Sequence, residues 1–212
     1  MRILIINPNS DEHTDEVMAK KAENLALPGV EVEVRHMTKA PKLVCSYEEQ
    51  AVSGAEMIEL VRSAGDYYDA YIVACHSDPN LDLVREIAGK PVVGIAEASL
   101  KMAASMGNGY AVISPSPNSI SKKIALAHKY RCDDLLRTIK VTESGSNEDL
   151  LKAAREALNE FCVDAIVLGC ANYTGADGYI ERELGIPVLD GVACALIMAS
   201  GLVHYRICKE KY

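Results

Sequence analysis

The sequence predicts an α/β protein of two pseudo-symmetric lobes, each a mainly parallel sheet flanked by helices, with a site in the cleft between them. Three observations carry this expectation. Strand-like apolar runs alternate with helix-length amphipathic stretches along the whole chain, the pattern of stacked βαβ units. The pattern occurs twice: Asp69-Ala70-Tyr71-Ile72-Val73-Ala74-Cys75, followed by Pro91-Val92-Val93, matches Asp164-Ala165-Ile166-Val167-Leu168-Gly169-Cys170, followed by Pro187-Val188-Leu189. The match also reaches upstream, where Arg2-Ile3-Leu4-Ile5-Ile6-Asn7-Pro8-Asn9-Ser10 resembles Tyr110-Ala111-Val112-Ile113-Ser114-Pro115-Ser116-Pro117-Asn118-Ser119. A long-period internal repeat marks a structural unit, so each copy is a lobe ordered strand, helix, strand, helix, strand, helix, strand. The first lobe is assigned residues 1–96 plus 192–212 and the second 97–191, with crossovers near Ala96 and Gly191.

Each element follows from local pattern. Residues 3–6 are a continuous apolar run, as for a strand buried on both faces. Ser10 is read as an N-cap, with Asp11 and Glu12 in the first turn of a helix reaching about Leu25. Leu27-Pro28-Gly29 breaks the chain before a strand at 30–34. Residues 47–63 read as a helix with Ala51, Ala55, Ile58 and Val61 on one face. A buried strand at 71–74 precedes Asp78-Pro79, an N-cap followed by proline at the first helical position. Gly89 ends that helix and 91–95 is a strand. In the second lobe, Ser146-x-x-Asp149 resembles a capping box, and Leu151, Ala154, Leu158 and Phe161 follow at helical steps. Thr174-x-x-Asp177 opens the next helix, and 192–205 form an apolar helix returning to the first lobe.

Composition narrows the function. A chain of 212 residues is long enough to bury a substantial core. Its net charge of −8 argues against a nucleic-acid footprint, although it leaves an anionic small molecule open. No stretch approaches the ~20 apolar residues of a membrane span, the longest being 192–203. The seven cysteines are an odd number, spread through strands and helices, which fits a reduced cytoplasmic protein better than a disulfide framework. No Cys-x-x-Cys pair or histidine cluster points to a metal.

The chemistry is expected at Cys75 and Cys170. Each ends a buried strand at its carboxyl end, the edge where open α/β sheets bind ligands. A helix N-terminus soon after each would favour the thiolate. Two equivalent lobes would place the two thiols facing one another across one carbon, one removing a proton and the other returning it on the opposite face. The remaining cysteines, Cys45, Cys132, Cys162, Cys194 and Cys208, read as small hydrophobes.

These strings resemble the aspartate/glutamate/hydantoin racemase superfamily, closest to its hydantoin and allantoin racemase branch. The resemblance rests on Ile6-Asn7-Pro8-Asn9-Ser10, Ala74-Cys75-His76-Ser77-Asp78-Pro79, Val93-Gly94-Ile95-Ala96-Glu97-Ala98, Leu168-Gly169-Cys170-Ala171 and Pro187-Val188-Leu189-Asp190-Gly191-Val192-Ala193. It implies a cofactor-independent racemase using Cys75 and Cys170, with Asn7, Ser77, Ser114 and Asn172 holding the oxygens of a small anionic or cyclic-imide substrate. An aspartate/glutamate-type racemase, a maleate-type isomerase and a non-catalytic binding protein on the same lobes stay open. Departures border the expected pocket: His76 stands where an apolar or aromatic residue is usual, Asn80 follows Pro79 where glycine is common, Asn172-Tyr173-Thr174 replaces a Gly-Met continuation, and Ala40-Pro41-Lys42 lacks the usual Gly-Pro turn. His76 either bonds a substrate carboxylate, tunes Cys75 or simply packs. An even-numbered homo-oligomer is expected from symmetry statistics alone.

Overall fold

The computed structural model describes residues 1–209; residues 210–212, the end of the stretch assigned to the first lobe, lie outside the described residues. The first half runs β1 (Arg2–Asn7), α1 (Glu12–Leu25), β2 (Glu31–His36), α2 (Tyr47–Ala64), β3 (Ala70–Val73), α3 (Leu81–Ala88) and β4 (Val92–Gly94). Helix α4 (Ile95–Met106) leads into β5 (Tyr110–Ser114), α5 (Ile120–Lys129), β6 (Leu136–Val141), α6 (Asn147–Glu160), β7 (Ala165–Leu168), α7 (Asp177–Leu184) and β8 (Val188–Leu189), and α8 (Gly191–Lys209) follows. The strands form two four-stranded parallel sheets of identical topology, β2-β1-β3-β4 and β6-β5-β7-β8. The α/β class with two lobes, each a parallel sheet flanked by helices, is therefore what the chain adopts.

The sequence repeat is a repeat of hydrogen bonds. The Asp69 carboxylate accepts from the Arg2 N–H at 2.7 Å, and the Asp164 carboxylate accepts from Asn108 and Gly109 at 2.7 and 3.0 Å. Each aspartate thus pins the start of its own strand to the start of the neighbouring one. At the other end, Ala74 N–H donates to Ile6 at 2.9 Å and Gly169 N–H to Ile113 at 2.8 Å. β3 pairs with β1 through Ile6↔Val73, and β7 pairs with β5 through Ile113↔Leu168. The matched registers deliver Cys75 and Cys170 to equivalent places just beyond the carboxyl end of a central strand. All residues of β3, β5 and β7 are buried, as a strand covered by helices on both faces requires.

Several local expectations are revised. Ser10 does not cap α1; Asp11 is the N-cap, and its carboxylate accepts from the Thr14 hydroxyl at 2.5 Å. Helix α2 starts with a complete Ser46–Glu49 capping box, and its buried face is Ser53, Gly54, Met57 and Val61, whereas Ala51 and Ala55 are exposed. The apolar stripe was misplaced because two small residues, Ser53 and Gly54, pack against Asn80. Asp78 does not cap α3, whose N-cap is Asn80; it caps α4 instead, accepting from Ala96 and Glu97 at 3.0 and 2.8 Å. Gly94 must lack a side chain there, since a Cβ would meet the Asp78 carboxyl at 2.3 Å. Helix α7 starts at Asp177 with Ala176 as N-cap, so Thr174 does not open it. Phe161 lies past α6 as its C-cap and is exposed.

Helix α8 is longer than the stretch read from sequence. It is the one described helix long and apolar enough to cross a membrane. Val192, Ala195, Leu196, Ala199 and Val203 are nevertheless buried, against β3, β4, α1 and α4, as in the core helix of a globular fold. Asp190 holds its start, accepting from Val192 and Ala193 at 2.8 and 3.3 Å.

Candidate active site

Both predicted thiols are half-buried and unbonded to other sulfurs. They lie close enough that charge on Cys75 pushes the Cys170 thiol up. The helix dipole expected behind each is weak, because no α-helix starts there. Behind Cys75 the chain turns through left-handed Asp78 and Asn80 (φ 44° and 58°) before α3 begins at Leu81. Behind Cys170 stands only the 3-10 turn Ala171–Tyr173. In both turns the N–H three residues on returns to the cysteine carbonyl: Asp78 to Cys75 at 2.9 Å and Tyr173 to Cys170 at 3.1 Å.

Burial consequently dominates and pushes both thiols above the usual thiol range. Opposing influences are local. For Cys75 they are the Ser77 hydroxyl, 3.3 Å from the sulfur, and the Ser77 N–H. For Cys170 the main one is the Asn172 N–H. For both, the charge of Lys123 acts in the same direction.

Lys123 is the residue that sequence reasoning missed. It projects from α5 and is 6% exposed. Its ammonium donates to the Gly169 carbonyl at 2.6 Å, the His76 carbonyl at 3.2 Å and His76 Nδ1 at 3.2 Å. Burial lowers its pKa to about 8, while the two thiols and Asp78 pull it back up. The signal was present: Lys123 shares a face with Leu126 and Ala127, so a lysine interrupts the buried stripe of a helix.

His76, the proposed tuning residue, is buried and sits between Lys123 and Ser99, whose hydroxyl lies 3.2 Å from Nε2. With the Ser99 proton on the Ile95 carbonyl at 2.8 Å, the matching His76 tautomer carries its hydrogen on Nε2 and accepts from Lys123 at Nδ1. Burial and the Lys123 charge push its pKa well below the ordinary histidine range, which keeps the ring neutral.

The four helper residues fall into two kinds. Asn7 and Ser114 are fully buried at the ends of β1 and β5. The Asn7 amide donates to Asp15 at 2.8 Å and to the Asp11 carbonyl at 3.3 Å, and the Ser114 hydroxyl meets that of Ser119. Ser77 and Asn172 lie next to the sulfurs. The Asn172 side-chain oxygen lies 3.0 Å from the Thr14 hydroxyl, a contact between the second cysteine turn and α1. Lys21 makes a parallel tie, 2.6 Å from Asp177. Glu97 pairs with Arg85 and Lys101. A cavity of about 300 Å³ is lined by Ser77 and Asp78 of the Cys75 turn, with Tyr47, Gln50, Asn80, Asp82 and Lys122 among its other walls; neither thiol lines it.

Comparison with known proteins agrees with this fold. The family described as Asp/Glu/Hydantoin racemase matches residues 3–199. A hydantoin racemase of Paenarthrobacter aurescens is 33% identical over 215 residues, covering 96% of this chain and 91% of the relative. An allantoin racemase from Klebsiella pneumoniae superposes with a TM-score of 0.91 at 28% identity, covering 97% of this chain and 89% of that one. A glutamate racemase from Francisella tularensis, at 20% identity and a TM-score of 0.67 over 97% of this chain and 81% of that one, shares the fold.

Proposed function

The chain belongs to the Asp/Glu/hydantoin racemase family and is an enzyme of the racemase type, and from that premise we propose that it inverts a carbonyl-activated stereocentre by proton transfer between Cys75 and Cys170. The observation that carries this reading is the delivery of two thiols to equivalent strand ends by two sheets of identical topology. A thiolate at one cysteine takes the α-proton, and the electron pair of the broken C–H bond moves into the carbonyl as an enolate. The thiol of the other cysteine breaks its S–H bond and delivers that proton to the opposite face. In this reading backbone N–H groups near Ser77 and Asn172 stabilise the developing oxyanion, the charge a racemase must stabilise most. Asn7 and Ser114 act through the turns they hold. The chemistry needs no cofactor, because the carbonyl itself is the electron sink.

The substrate class is a 5-substituted hydantoin or allantoin, as the names of the relatives suggest. We place the enzyme in the cytoplasm, where its thiols stay reduced, and expect a homo-oligomer of even number. Incubation of single enantiomers of allantoin, of 5-substituted hydantoins with polar and apolar substituents, and of aspartate and glutamate, followed by chiral chromatography, tests the class. Enzyme-dependent appearance of the opposite hydantoin or allantoin enantiomer supports it. Turnover of the amino acids alone would replace the substrate assignment, and turnover of none would remove it.

A further inference from the structure

Lys123 has no place in the two-thiol scheme, yet its surroundings are built for it. It is a buried cation with three N–H bonds and three acceptors, the carbonyls of Gly169 and His76 and His76 Nδ1. With His76 in the tautomer that carries its hydrogen on Nε2, a neutral amine would leave one of those acceptors without a donor, and the site then fits the ammonium form. The acceptors come from both lobes: Gly169 immediately precedes Cys170, and His76 immediately follows Cys75. The space is also reserved. A Cβ on Gly169 would lie 2.9 Å from Lys123 Cε and 2.5 Å from the Ile113 carbonyl, so glycine there admits the lysine stem. His76 is fixed in the accepting tautomer by Ser99 on α4. Helices α4 and α5 and both cysteine turns therefore converge on one ammonium group.

We propose that Lys123 is a positioning residue serving both thiols: it fixes the carbonyl of the residue beside each cysteine, and its charge favours the thiolate at whichever one acts as base. This rests on the two-cysteine reading and adds what that reading lacks, a positive charge common to both half-reactions. An ammonium has no lone pair, so Lys123 does not take the proton of the cysteine that acts as base; that proton goes to solvent, and the other cysteine keeps its own. The groups facing this charge are Cys75, Cys170, His76 and Asp78. Ser77 and Asp78 also face Cys75, and Cys45 and Tyr173 face Cys170. Asp78 opposes the thiolate at Cys75, which makes a compensating cation more necessary on that side.

The test is the pH dependence of alkylation by iodoacetamide, read for each cysteine by mass spectrometry, in wild type, Lys123→Met and Lys123→Gln. Glutamine keeps two N–H donors without the charge, which separates electrostatics from scaffolding. The expected result is that the midpoints for Cys75 and Cys170 both move up by about one pH unit or more in the two variants, while exposed Cys162 keeps its wild-type profile. Racemisation at pH 7 should fall about tenfold or more and recover as pH is raised. Unchanged midpoints at both cysteines, or midpoints that move in Lys123→Met but not in Lys123→Gln, would overturn the proposal. The alkylation readout needs no substrate, so it stands or falls separately from the racemase assignment. Far-UV circular dichroism on each variant verifies that the fold is retained, and the glutamine variant decides if methionine unfolds the chain.

Discussion

Holding His76 neutral should make the native state sensitive to acid. The unfolded histidine titrates near 6.5, whereas the folded one is held well below that by burial and by Lys123. Below pH 6.5 the unfolded chain therefore binds one more proton than the folded chain at this residue, and stability falls as pH falls. The loss approaches ~1.4 kcal/mol per pH unit and amounts to about 2 kcal/mol between pH 7.5 and 5. Asp78 works the other way over part of this window, because burial raises its folded pKa to about 6 and the folded state gains a proton there. The wild-type curve alone therefore hides the effect. The comparison that isolates it is His76→Asn, whose side-chain oxygen is placed to accept from Lys123 but does not titrate. Urea unfolding of both proteins at pH 7.5, 6.5 and 5 gives the difference in free energy at each pH. A constant offset reports lost packing; the account predicts that the difference shifts against wild type by about 2 kcal/mol on acidification. A difference that stays constant within about 0.5 kcal/mol would show that His76 is free to protonate in the folded state and would refute the reasoning.

Other consequences follow from the same contacts. Gly169→Ala drives a methyl group into the Ile113 carbonyl and the Lys123 stem, so it should cost about 1–3 kcal/mol in urea unfolding and lower racemisation with it. Tyr130→Phe removes the hydroxyl that donates to the Asp78 carboxylate at 2.6 Å and should cost about 1–2 kcal/mol; no loss would mean that the α4 cap is supported without it. Because burial holds both thiols up, kcat/KM for either enantiomer should climb between about pH 6 and 8 by up to ~10-fold per unit, and a flat profile would contradict a thiolate base.

The sequence made the lobes legible because their signal is repetitive. The Asp-Ala-x4-Cys run records a structural bond, Asp69 to Arg2 and Asp164 to Asn108 and Gly109, as well as the position of a thiol, so two constraints reinforced one pattern. Cap assignments failed where the capping group comes from elsewhere in the chain. Asp78 looked like the start of the next helix but reaches across to the first turn of α4, a tertiary contact that no local window contains. Helix α2 was misread at one end for a related reason: Met57 and Val61 on its inner face are apolar, but Ser53 and Gly54 are buried there beside Asn80, where a local pattern favours Ala51 and Ala55. The equivalent placement of Cys75 and Cys170 beyond two strand ends was legible from spacing. The electrostatics around them was not, since the expected helix N-termini gave way to turns and the positive charge comes from Lys123, on a helix 48 residues after Cys75 in sequence. The departure at His76 and the lysine in an apolar stripe were both visible in the sequence; only the fold brings them together.

The central claim is that one thiol removes the proton and the other returns it. Proton NMR in D₂O, following loss of the α-proton from single enantiomers of the substrate, tests it in wild type, Cys75→Ser and Cys170→Ser. The account predicts that wild type forms the opposite enantiomer with deuterium at the stereocentre. Each variant should lose turnover by about 100-fold or more yet keep exchange from one enantiomer only, a different one for each variant. Retained racemisation in either variant, or the same enantiomer exchanging in both, would contradict it.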